Sequence, residues 1–71
     1  MENTIAGNIK RLRVENGLTQ KEVAEFLGVS FQTVSKWERD LSCPDINSLP
    51  NLAEILGVSV EELMQVKKEA E

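Results

Sequence analysis

The 71-residue chain contains no histidine, one cysteine and two prolines. Without histidine, Cys43 has no imidazole to activate it as a nucleophile and no partner set for zinc. A single cysteine builds no internal disulfide framework, which fits a reducing cytoplasm. No basic residue adjoins Cys43, and we read it as a bystander of its loop. No apolar run approaches the roughly 20 residues of a membrane helix. The N-terminus lacks the basic-then-apolar order of a signal peptide. There is no glycine-rich loop to cradle a phosphate, and no nucleophile beside a base. These absences exclude a catalytic constellation, so no enzyme activity, cofactor or metal is expected. Strand signals are missing too, because no stretch alternates apolar and polar residues for long.

What remains is a helical, soluble pattern. The chain is 41% hydrophobic and 28% charged, a balance that suits a folded domain. Its length suits one domain over residues 1–71. A domain of this size buries only about 60% of the surface its unfolded chain exposes, so its core is small. The net charge of −4 at first opposes a nucleic-acid partner, but it is unevenly placed. Residues 1–40 hold six basic and six acidic side chains, whereas residues 41–71 hold two basic and six acidic ones. The first half is therefore neutral, and a nucleic-acid binder needs a basic face, not a basic total.

Five helices are predicted. The first runs from about Thr4 to Glu15, with Ile5, Ile9 and Leu12 on its inner face, and Asn16-Gly17 ends it. Thr19 and Glu22 form a capping box for a second helix over about 20–27, with Leu18 and Val23 as a hydrophobic staple. Gly28 stops that helix. Ser30 caps a third helix over about 31–39, whose inner face is Val34 and Trp37. Asp40 takes the place where glycine or asparagine would more easily turn the chain. A loop over 40–46 contains Pro44. Asn47 is expected to cap the fourth helix, which places Pro50 at its third position, inside the first turn where an amide hydrogen has no partner. That helix reaches about Leu56. Ser59 and Glu62 form a second capping box for a fifth helix. Lys67 and Lys68 suit the negative pole at its end.

The densest signal lies over residues 19–39. Two short helices joined by Gly28-Val29-Ser30, the second bearing Gln32, Lys36 and Arg39, have the layout of a DNA-binding helix-turn-helix. The segment Ala24-Glu25-Phe26-Leu27-Gly28-Val29-Ser30 nearly recurs, 29 residues later, as Ala53-Glu54-Ile55-Leu56-Gly57-Val58-Ser59. Chemistry separates the two copies. The first continues Phe-Gln-Thr, while the second continues Val-Glu-Glu and would set carboxylates against phosphate.

The ordered set Ile9 to Arg13, Leu18-Thr19-Gln20, Glu22 to Ala24, Leu27-Gly28-Val29-Ser30, Val34, Trp37-Glu38, Leu49-Pro50, Leu52-Ala53 and Leu56-Gly57-Val58-Ser59 resembles the phage repressor and Cro-type (XRE) helix-turn-helix family. The resemblance implies an all-α, five-helix, lambda-repressor-like domain that regulates transcription, with its third helix in the major groove of double-stranded DNA. Carried over by position, it implies that Phe31, Gln32 and Lys36 face base edges. Gln20, Thr33 and Arg39 would touch phosphate, and Arg13 and Glu38 would form an ion pair between the first and third helices. Phe31 departs from the family's polar preference at its position; it can lie against a thymine methyl or pack on a neighbouring helix. Asp40 departs as well, adding a negative charge near the backbone path. Regulators of this type usually pair on two half-sites, so a homodimer is expected, with Ile46, Val60 and Met64 as contacts. The alternative is a protein-interaction module of the same fold, such as an antitoxin or phage regulatory partner. The acidic second half and the apolar Phe26, Val60 and Met64 favour that alternative.

Overall fold

Four of the five helices open on a side-chain cap supplied by the residue just before them. The computed structural model describes residues 4–65. In it, α1 spans Ile5–Glu15, α2 Gln20–Leu27, α3 Phe31–Glu38, α4 Leu49–Leu56 and α5 Val60–Met64. Thr4 Oγ1 accepts from the Gly7 amide at 3.0 Å and starts α1. At α2 the Glu22 amide donates to Thr19 Oγ1 at 3.0 Å, and the Thr19 amide donates to Glu22 Oε1 at 2.8 Å. The same reciprocal pair joins Ser59 and Glu62 at α5, both bonds at 3.0 Å. Ser30 Oγ accepts from the Thr33 amide at 3.2 Å and opens α3. Each such cap satisfies a donor that the first helical turn leaves unpaired.

The helix ends are equally regular. Gly28 sits at φ 75°, ψ 28°, and Gly57 at φ 77°, ψ 26°. Behind them the Val29 amide donates to Ala24 O and the Val58 amide to Ala53 O, each at 3.0 Å. This is the left-handed stop that glycine adopts without a Cβ penalty. After α3, Asp40 makes the same turn at φ 62°, with the Leu41 amide donating to Lys36 O at 2.9 Å. Arg39 caps α3 rather than extending it.

The start of α4 differs from expectation. Ser48, not Asn47, is the cap, and its side chain makes no capping bond. Asp45 Oδ1 instead accepts the Ser48 amide at 2.9 Å, which folds residues 46–48 into a turn and delays the helix by one residue. Pro50 therefore takes the second helical position, where its missing N–H still costs no bond. Lys67 and Lys68 lie outside the described residues.

Six large side chains are fully buried: Ile9, Val23, Val34, Leu52, Leu56 and Leu63. They come from all five helices, so every helix contributes to one core. Trp37 joins it at 4% exposure. The helix α1 packs on α3, α4 and α5, while α2 packs on α3 and α4. Two asparagine amides tie these layers together. Asn8 Nδ2 donates to Leu63 O at 2.9 Å and to Gln65 O at 2.8 Å, closing the end of α5. Asn16 Nδ2 donates to Leu12 O at 2.7 Å and to Leu56 O at 2.9 Å, joining the ends of α1 and α4. None of these four bonds was anticipated from the sequence.

Candidate nucleic-acid interface

Because Val34 and Trp37 turn inward, helical periodicity turns Gln32, Ser35, Lys36 and Arg39 outward. Gln32 and Lys36 are exposed, and among the described residues their side chains make no hydrogen bond or ion pair. Their amide and ammonium donors are therefore unspent. Phe31 opens the helix with 50% of its surface exposed and stays outside the hydrophobic core. Phe26, on α2, is exposed to the same extent.

Behind this face lies a polar network. Arg13 Nε donates to Glu38 Oε2 at 2.6 Å, and Arg13 Nη2 donates to Glu38 Oε1 at 3.1 Å. The two side chains are only 14% and 3% exposed. Arg13 Nη1 also donates to Leu18 O at 2.8 Å, so one guanidinium braces α1, the turn before α2, and α3. The fork geometry is the one in which arginine and carboxylate pair most strongly. Gln20 Nε2 donates to the same Glu38 Oε1 at 3.0 Å. A carboxylate accepts only, so the glutamine amide must turn its NH₂ group toward Glu38. One N–H of that group remains for another acceptor. The family resemblance implies a phosphate contact for Gln20 but not its tether to Glu38, a bond that spans 18 positions.

Arg39 lies back along α3, its Nε donating to Ser35 O at 3.3 Å and to Ser35 Oγ at 3.1 Å. This fixes the stem and leaves the two terminal amino groups of the guanidinium. Thr33 is half-buried, and its Oγ1 lies 3.0 Å from Ser30 Oγ. Its hydroxyl thus belongs to the helix cap before it can serve any ligand.

Ile46, Val60 and Met64 come together on a different surface. With Leu49, Pro50 and Gln65 they line an open groove of about 740 Å³, rimmed by Glu61 and Glu62. Ile46 is 78% and Met64 40% exposed. Among the described residues no group of His, Cys, Asp or Glu is placed to hold a metal ion. No described helix is long and apolar enough to cross a membrane.

Comparison with known proteins places this arrangement. A family model for the helix-turn-helix matches residues 9–63. The chain is 44% identical over 64 residues to an uncharacterized HTH-type transcriptional regulator, y4dJ, of Sinorhizobium fredii, covering 90% of this chain and 83% of that one. It is 38% identical over 68 residues to the transcriptional regulator SinR of Bacillus subtilis, covering 94% of this chain and 61% of the relative. The crystal structure of SinR in complex with DNA superposes with a TM-score of 0.77, at 38% identity, over 84% of this chain and 97% of that chain. The P22 c2 repressor in complex with a synthetic operator superposes with a TM-score of 0.83, at 25% identity, over 90% and 97% of the two chains. By family match, sequence identity and fold together, the chain belongs to the XRE-type helix-turn-helix family of transcriptional regulators.

Proposed function

We propose that the protein acts in the cytoplasm as a sequence-specific transcriptional regulator that binds double-stranded DNA with α3 in the major groove. The observation that carries this reading is the outward face of α3, whose Gln32 and Lys36 donors have no partner among the described residues. Phe31, Gln32 and Lys36 meet base edges. Gln20, Thr33 and Arg39 meet phosphates, where a protein gains register and orientation. SinR and the P22 c2 repressor, both similar to this chain in fold, form complexes with DNA, which supports DNA as the partner.

Selection of bound fragments from a random duplex library tests the reading and supplies the site. On that site, Gln32→Ala is expected to weaken specific binding by about 1–3 kcal/mol and to relax preference at one base pair. Arg39→Ala is expected to weaken all sequences alike and to reduce the salt slope by about one. Equal losses on specific and random DNA in both variants would remove Gln32 from the base readers.

A single domain reads few base pairs, so two copies are proposed to pair on half-sites about one helical turn apart. Their contact is the groove of Ile46, Val60 and Met64. Met64→Lys is expected to leave the fold intact, since Met64 is 40% exposed, and to prevent the second copy from joining the DNA complex. Sedimentation with the selected duplex checks this. A strict 1:1 complex of the wild-type protein, on a site without two-fold symmetry, would refute the pairing.

The same groove also supports the second reading, in which the fold binds a protein. In that reading its acidic rim, Glu61 and Glu62, suits a basic partner. SinR is also known in complex with the protein SinI. Salt separates the readings: DNA binding falls steeply with ionic strength, and absence of any duplex binding at low salt would favour the protein partner.

A further inference from the structure

Phe31 is the one side chain on the reading edge of α3 that has no polar atom. Half of its surface is open, and it lies outside the core cluster. Packing into the core is therefore not what holds this ring. Nor is the tip of the helix short of polar partners, because Ser30 Oγ takes the Thr33 amide and sits 3.0 Å from Thr33 Oγ1. The result is an apolar ring at the first turn of α3, one residue before Gln32.

The major-groove edges of the bases are lined with hydrogen-bond donors and acceptors, with one apolar feature, the C5-methyl group of thymine. A phenyl ring finds a favourable contact only there. Cytosine methylated at C5 carries the same methyl at the same ring position and would present it to the ring in the same way. We propose that Phe31 reads a pyrimidine C5-methyl group, of thymine or of 5-methylcytosine, and makes binding depend on that methyl at one base pair per bound copy. This rests on the DNA-binding reading above and adds to it a response to cytosine methylation.

The test uses the full chain and the duplex obtained by selection. Each thymine is replaced in turn by deoxyuridine, which removes the methyl and leaves every hydrogen bond. At one position per half-site the affinity is expected to fall about fourfold, the value of burying one CH₂-sized group. At that position a cytosine–guanine pair is compared with its 5-methylcytosine form, and the methyl is expected to raise affinity by a similar factor. In Phe31→Ala both methyl effects are expected to vanish, while Phe31→Leu, still apolar, retains part of them. Ratios within one variant, taken at low salt where weak binders still bind, separate methyl reading from any general loss of affinity. A flat uracil scan, or a methyl effect that survives in Phe31→Ala, overturns the inference while the DNA reading stands. A uracil effect without a 5-methylcytosine effect leaves thymine as the ligand and overturns the response to methylated cytosine. A selection that yields no bound duplex sinks the DNA reading and this inference together.

Discussion

Replacing Glu38 with alanine is expected to cost about 3–5 kcal/mol, because it strands the Arg13 guanidinium in a partly buried site. The Arg13 side chain is 14% and the Glu38 side chain 3% exposed, so water does not readily replace the lost partner. The alanine variant also removes the acceptor that holds Gln20. Small domains sit toward the low end of the usual range of about 5–15 kcal/mol, so this one change is enough to populate the unfolded state. Urea melts of the wild type, of Arg13→Ala, of Glu38→Ala and of the double variant give the coupling energy directly. Coupling near zero would refute the pair. A second comparison exposes the physics: Arg13→Met combined with Glu38→Leu replaces the pair by apolar volume and is expected to recover most of the loss, since such exchanges are often neutral. In that double variant DNA binding is expected to fall even though the fold recovers, because Gln20 has lost its tether.

Removing the Asn8 amide is the next most costly change. Asn8 is 5% exposed, and both hydrogens of its side chain are spent on the carbonyls of Leu63 and Gln65. Helix α5 has only five residues, far fewer than a helix needs to persist alone in water. Its position rests on Leu63 in the core, on Val58 and Val60 packed against that core, and on this amide. Asn8→Ala leaves two carbonyl acceptors unpaired, at a cost of about 2–4 kcal/mol. The loss is expected to be local first. Amide hydrogens of α5 exchange faster while those of α2 and α3 keep their protection, as separate opening units do. A variant that loses less than about 0.5 kcal/mol, or opens uniformly, would show that apolar packing rather than the amide holds α5.

The contrast between these bonds and the helix caps explains how much of the fold could be read in advance. Thr19 with Glu22, and Ser59 with Glu62, interact three residues apart, and a pattern of that length is visible in the chain itself. The Asn8 bonds span 55 and 57 positions, and the Asn16–Leu56 bond spans 40. Nothing in the residue type marks a buried asparagine before its partners are in place. The start of α4 was misplaced for a related reason. Asn47 and Ser48 both suit a cap, and the choice between them is made by the Asp45 carboxylate outside the helix. At the candidate site, periodicity alone turned Val34 and Trp37 inward and Gln32 and Lys36 outward. What the outward face touches did not follow from periodicity; it came from the resemblance to a family whose members read DNA. The use of Phe31 was open in the sequence because packing and display are both within a phenylalanine's means.

The twin turns at Gly28 and Gly57 bear on how a protein of this kind can change over evolutionary time. They have nearly the same dihedral angles, and a Cβ at Gly28 would meet nothing within 4 Å. The turn therefore asks for a backbone angle and for no particular neighbour. The segments that follow, Phe31-Gln32-Thr33 and Val60-Glu61-Glu62, share almost nothing, yet both continue as capped helices. Shape and vocabulary are written in separate letters. Under the proposed reading, substitutions at positions 31, 32 and 36 would alter what the surface says while Gly28, Ser30, Val34 and Trp37 keep the architecture. A lineage can thus pass from one target to another through intermediates that all fold, and the turn need never be reinvented.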